Sequence, residues 1–66
     1  MHTVVTSPVV PVGKIKSFGA SGSKYKVIRP IRQLDDGDWL IEIERIETGE
    51  KAEYRLPHIL DDPEAV

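Results

Sequence analysis

From Trp39 to Ile46, apolar and charged positions alternate with a period of two, Trp39, Ile41 and Ile43 on one face and Glu42 and Glu44 on the other. That period predicts a strand with one buried and one solvated face. Leu40 and Ile46 are apolar positions on the acidic face, so part of that face is expected to be covered. A second alternation runs from Lys51 to Leu56, setting Ala52, Tyr54 and Leu56 against charges, and Thr48-Gly49 between the two runs reads as a hairpin turn. With Thr48 and Gly49 as the two central residues, Ile43 faces Tyr54, Ile41 faces Leu56, Glu44 faces Glu53, Glu42 faces Arg55 and Glu47 faces Glu50.

Upstream, Tyr25, Val27 and Ile31 share a strand face while Lys24, Lys26 and Arg32 lie on the other. Pro30 in this run points to an edge strand or a bulge. Asp35-Asp36-Gly37-Asp38 reads as a turn, since carboxylates bond nearby backbone N–H groups and glycine tolerates positive φ. Gly13 to Phe18 alternates as a short strand, and Gly19 to Ser23 reads as a loop. Residues 1–12, β-branched and punctuated by Pro8 and Pro11, read as an extended or flexible arm. Pro57 to Pro63 leaves room for one short helical turn, with Ile59 and Leu60 placed to cap the sheet. The expected fold is α+β, a single small β-rich domain over residues 13–66. It comprises a three- or four-stranded antiparallel β-sheet (meander) with one short C-terminal helix or helical turn.

Size narrows the chemistry. A chain of 66 residues buries only about 60% of the surface its unfolded form exposes, too little to surround a desolvated substrate cavity. No cysteine is present, so neither disulfides nor thiolate metal sites support the fold; this fits a cytoplasmic protein. The apolar N-terminal residues are interrupted by prolines, lack a preceding cation, and fall well short of the roughly 20 residues a membrane-spanning helix needs. His2 and His58 are isolated from any nucleophile or metal-ligand partner, so no catalytic residue, metal ligand or cofactor is expected. Gly19-Ala20-Ser21-Gly22-Ser23-Lys24 lacks the spacing and the Gly-Lys-Ser/Thr ending of a phosphate loop. Trp39 reads as a core residue.

Charge adds what hydropathy does not show. All eleven acidic residues lie at or after Asp35, and six of the nine basic ones precede it. The net charge of −2 thus conceals two oppositely charged halves, each able to steer a different partner. In the register above, Glu44 against Glu53 and Glu47 against Glu50 are like-charge pairs, which destabilise a sheet. The surface they create therefore becomes the candidate binding face: Glu42, Glu44, Glu47, Glu50 and Glu53, with Asp61 and Asp62 as a second acidic patch. Spaced carboxylates on a stiff hairpin can imitate a phosphate backbone; a merely solubilising strand face is the plainer alternative. The rival site is basic. Lys14, Lys16, Lys24 and Lys26 with Phe18 combine cations and an aromatic ring as single-stranded nucleic-acid binders do.

Phe18-Gly19-Ala20-Ser21-Gly22-Ser23-Lys24-Tyr25, Leu34-Asp35-Asp36-Gly37-Asp38-Trp39, Glu47 to Leu56 and Leu60 to Ala65 together resemble a family of short bacterial proteins of unknown function, over residues 13–66. In size and acidic surface alone the chain is also similar to phage-encoded inhibitors of the anti-CRISPR type, which block nucleic-acid binding by an effector subunit. The expectation is a non-enzymatic inhibitor or antitoxin-like protein, monomeric or weakly dimeric. Its acidic hairpin is expected to meet a basic, nucleic-acid-binding surface of a partner protein. The alternatives are direct nucleic-acid binding by the basic half and addition of an exposed sheet edge to another chain.

Overall fold

Four runs of alternating residues become four strands in the computed structural model, which describes residues 9–20 and 22–65. They are β1 (Ile15–Ser17), β2 (Lys24–Gln33), β3 (Trp39–Arg45) and β4 (Lys51–Arg55), followed by helix α1 (Leu56–Asp61). All neighbouring pairs are antiparallel and the order is β1-β2-β3-β4, a meander. One face of the sheet supplies Tyr25, Val27, Ile41 and Ile43 to the core, and α1 covers that face with Ile59. Val10, Phe18, Trp39, Ala52, Tyr54 and Leu56 pack around these five.

Helix α1 has six residues and no side-chain N-cap, with Pro57 in its first turn. A helix this short is not stable on its own and depends on tertiary packing. Ile59 provides it, being fully buried, whereas Leu60 is 57% exposed and does not cap the sheet as expected. The helix stops at Asp62, whose N–H donates to the His58 carbonyl while its own backbone is extended. The chain then returns along β1: the Ser17 N–H donates to the Pro63 carbonyl at 3.0 Å and the Ala65 N–H to the Ile15 carbonyl at 2.8 Å. The outer edge of β1 is thereby covered. No described residue covers the outer edge of β4 in this way.

The β3–β4 turn differs from the expected two-residue hairpin. The Arg45 N–H donates to the Glu50 carbonyl and the Gly49 N–H to the Arg45 carbonyl, both at 2.8 Å, enclosing the four residues Ile46 to Gly49. Gly49 takes φ 74°, a left-handed conformation that glycine adopts without steric cost. The larger loop moves the register by two residues. Leu40 faces Arg55, Ile41 faces Tyr54, Glu42 faces Glu53, Ile43 faces Ala52 and Glu44 faces Lys51. A slip of two keeps every side chain on its face but changes every partner.

Strand β2 carries two irregularities against β3, between Val27 and Arg29 and between Pro30 and Arg32. Ile28 and Ile31 are the residues skipped. Each extra residue reverses the alternation that follows, and so Ile31, expected beside Tyr25 and Val27, is 39% exposed. Pro30 falls in the part of β2 that β1 does not reach, where a missing N–H is harmless. Of the expected arm over residues 1–12, residues 1–8 lie outside the described residues; Val10 packs on the core.

The β1–β2 loop is closed by the Phe18 N–H donating to the Ser23 carbonyl at 3.0 Å. A Cβ at Gly22 would collide with the backbone carbonyl of Phe18. Gly22→Ala should therefore force the loop open and lower stability by about 1–2 kcal/mol, the scale of overpacking, as read by urea denaturation.

Candidate interaction surface

The sheet face away from the core carries ordered rows of charge. Lys26, Glu44 and Lys51 are successive partners across β2, β3 and β4, and Arg29, Glu42 and Glu53 form the next row. Arg29 Nε donates to Glu42 Oε1 at 2.9 Å, and the Glu42 side chain is only 19% exposed. Glu44, flanked by two lysines, is no longer opposite Glu53. The like-charge pair that remains is Glu42 with Glu53. Arg55, expected against Glu42, instead stands beside Leu40 and donates to Asp36 Oδ2 and Asp38 Oδ2, each at 3.0 Å. The Asp38 N–H and then Arg55 hold the Asp36 carboxyl below its usual range, a favourable effect at an exposed turn that salt screens.

The acidic residues expected to act together therefore separate into three groups. Glu42 and Glu44 are matched by cations. Glu47, Glu50 and Glu53 are exposed at the hairpin, and none has an ion-pair partner among the described residues. Asp61 is exposed on α1, but Asp62 faces inward. Its Oδ2 accepts from the Tyr25 hydroxyl at 2.7 Å and its Oδ1 from the Gly19 N–H at 3.3 Å. Its backbone carbonyl accepts from Lys16 Nζ at 3.0 Å. Asp62 is thus a tie joining α1, β1, β2 and the β1–β2 loop.

The basic set is likewise dispersed. Lys16 is buried at 7% exposure, its ammonium engaged by the Asp62 carbonyl. Lys14 lies 3.8 Å from Glu64 with both side chains exposed. Phe18 belongs to an aromatic cluster, its ring centroid 4.4 Å from Tyr25 and 5.4 Å from Tyr54, with the Arg45 guanidinium 5.6 Å above it. Lys24 and Lys26 remain exposed. Phe18 and Lys26 thus serve opposite faces of the sheet, since Phe18 packs on the core while Lys26 lies in the outer charged row.

Burial pushes the Tyr25 hydroxyl pKa well above the usual tyrosine value, and the Asp62 carboxylate adds to the shift through its hydrogen bond and charge. Tyr54 is raised in the same direction, by burial and then by the charge of Asp62. His58 is exposed and stacks on Tyr54 at 5.4 Å; His2 lies outside the described residues. Among the described residues there is no cavity, no cluster of potential metal ligands and no helix long and apolar enough to cross a membrane.

The alternation did contain a signal for the Asp62 tie. Lys16 has the same strand parity as Phe18, which places it on the core face. A lysine there needs a buried acceptor.

The model of a family of unknown function, DUF5397, matches residues 3–66, extending the expected resemblance over residues 13–66 into the N-terminal segment. An uncharacterized protein of Haemophilus influenzae is 48% identical over 56 residues, which are 85% of this chain and 89% of that protein. The likeness to phage-encoded inhibitors has no counterpart in these matches. With nearly its whole length matched by that family's model and a relative of similar size at this identity, the chain belongs to the family of unknown function DUF5397.

Proposed function

We propose that the protein is a non-enzymatic, cytoplasmic binding module that inhibits a partner protein by docking the acidic end of its β3–β4 hairpin on a basic, nucleic-acid-binding surface. The observation that supports this reading is the distribution of carboxylates after pairing. Glu42 and Glu44 are compensated by Arg29, Lys26 and Lys51. The uncompensated charge collects at Glu47 and Glu50 on the loop and at Glu53 on the adjoining strand. A turn held by two backbone hydrogen bonds and by the Thr48 hydroxyl accepting from the Glu50 N–H presents these charges with little freedom to lose on binding. Electrostatic attraction of this kind speeds association and weakens as salt rises.

Glu47→Lys/Glu50→Lys tests the reading, since neither side chain takes part in the core. Immobilised wild type is used to capture a partner from host extract, and its affinity for purified wild type and variant is then measured. At least a tenfold loss is expected, and equal affinity would remove the acidic loop from the function. A gel-shift titration at low salt examines the alternative of direct nucleic-acid binding. Retardation that collapses as salt increases would favour that alternative over the acidic loop.

A further inference from the structure

We propose that β4 is a self-pairing edge through which two copies of this chain join in one specific register, Lys51 of each opposite Glu53 of the other, to form a continuous eight-stranded sheet. This goes beyond the binding function above and uses different residues from its test. The two edges of the sheet are treated unequally: the C-terminal segment bonds to β1, while no described residue pairs with β4 on its outer side. The bond from the Arg45 N–H to the Glu50 carbonyl sets the alternation along β4. Ala52 and Tyr54 direct their backbone groups to β3, and Lys51, Glu53 and Arg55 direct theirs outward. Antiparallel pairing with a second copy must therefore oppose odd-numbered residues to odd-numbered residues.

Three symmetric registers satisfy this condition while pairing at least three β4 residues of each copy, and charge separates them. Centring the twofold axis on Glu53 opposes Glu53 to its own copy and Lys51 to Arg55, so every charged pair is of like charge. Centring it on Tyr54 opposes Glu53 to Arg55, but Arg55 is already held by Asp36 and Asp38. That register also carries the strand into Pro57 of α1, which has no N–H to give. Centring it on Ala52 gives two Lys51–Glu53 pairs related by symmetry, the isologous arrangement of a twofold dimer. The small Ala52 side chains meet at the axis. This register also resolves the one like-charge contact left within the sheet. Glu42 and Glu53 are opposed in a position that does not exchange ladder hydrogen bonds, where side chains approach most closely. The second copy's Lys51 stands on the other side of Glu53, so the row Arg29, Glu42, Glu53 continues into Lys51, Glu44 and Lys26 of that copy. Isolated edge strands use charge to discourage pairing; here the same charges admit one register.

The full-length protein tests this by sedimentation equilibrium. Wild type is expected to be a reversible dimer. Lys51→Glu or Glu53→Lys alone turns both interchain pairs into like-charge contacts and should weaken dimerisation about tenfold. Lys51→Glu/Glu53→Lys together should restore it. Because the natural chain has no cysteine, Ala52→Cys supplies a single thiol at the proposed axis, where the distance across a pair without ladder bonds suits a disulfide. Ala52→Cys should oxidise to a covalent dimer at least tenfold faster than Glu53→Cys. A wild type that stays monomeric at its highest soluble concentration overturns the proposal. So does a double swap that fails to recover what the single reversals lose, or faster crosslinking at Glu53→Cys.

Discussion

Ile59→Ala is expected to lower the unfolding free energy by about 2–5 kcal/mol, the range for large-to-small changes at buried aliphatic positions. Among the described residues, Ile59 is fully buried and is the one member of the buried core that does not come from the sheet. Small domains have net stabilities of only about 0.05–0.15 kcal/mol per residue, so the loss is a large share of the total. Its reach extends beyond one cavity. Helix α1 is too short to persist without the contact, and its release withdraws both Asp62 and the segment that covers β1. Urea denaturation followed by tryptophan fluorescence and by amide circular dichroism should report the loss, with Trp39 as the fluorescent reporter. Leu60→Ala, at an exposed position on the same helix, should shift the midpoint little. Equal effects from the two variants would disprove the assigned orientation of α1.

The second large effect belongs to Asp62. Asp62→Ala removes the acceptor from the Tyr25 hydroxyl and from the Gly19 N–H. A buried hydroxyl left without a partner costs about 1–3 kcal/mol, so a loss of about 2 kcal/mol or more is expected once the loop contact is included. Asp62→Asn retains a carbonyl oxygen that can accept from Tyr25 and should recover much of the loss. The same residues set an alkaline limit. The Tyr25 pKa is raised on folding, so its contribution is complete below the unfolded value of about 10 and fades as pH rises above it. Melting temperatures from pH 8 upward should fall beyond about pH 10 in wild type, and less steeply in Tyr25→Phe. An identical alkaline slope in the two proteins would place the cause elsewhere.

Residues that alternate without interruption made their element and their face legible in the sequence. Ile41 and Ile43 are core residues, Ala52 and Tyr54 share their side, and the short helix follows where the prolines allow it. Exact partnership was less accessible, because Thr48-Gly49 resembles a two-residue turn and the difference lies in a hydrogen bond from Gly49 back to Arg45. The consequence was chemical: Glu44 acquired Lys51 in place of Glu53, and much of the supposed acidic face became a mixed one. Ile31 leaves its expected face for a related reason, since a skipped residue in β2 leaves no mark on hydropathy and only Pro30 hints at it. Asp62 looked like one more surface acid. Its role depends on the return of the chain to β1, a contact that local periodicity does not describe.

That return also governs the order in which the molecule can be completed. Lys16 bonds to Asp62 across a separation of 46 residues, and Ser17 bonds to Pro63, whereas the β2–β3 and β3–β4 pairs close over short turns. Contacts distant in sequence form late because a long loop must first be closed. During synthesis the hairpins can therefore assemble while β1, made before them, still waits for Asp62 to Ala65. Of the four described strands, β1 leaves the ribosome before the others and is secured after them.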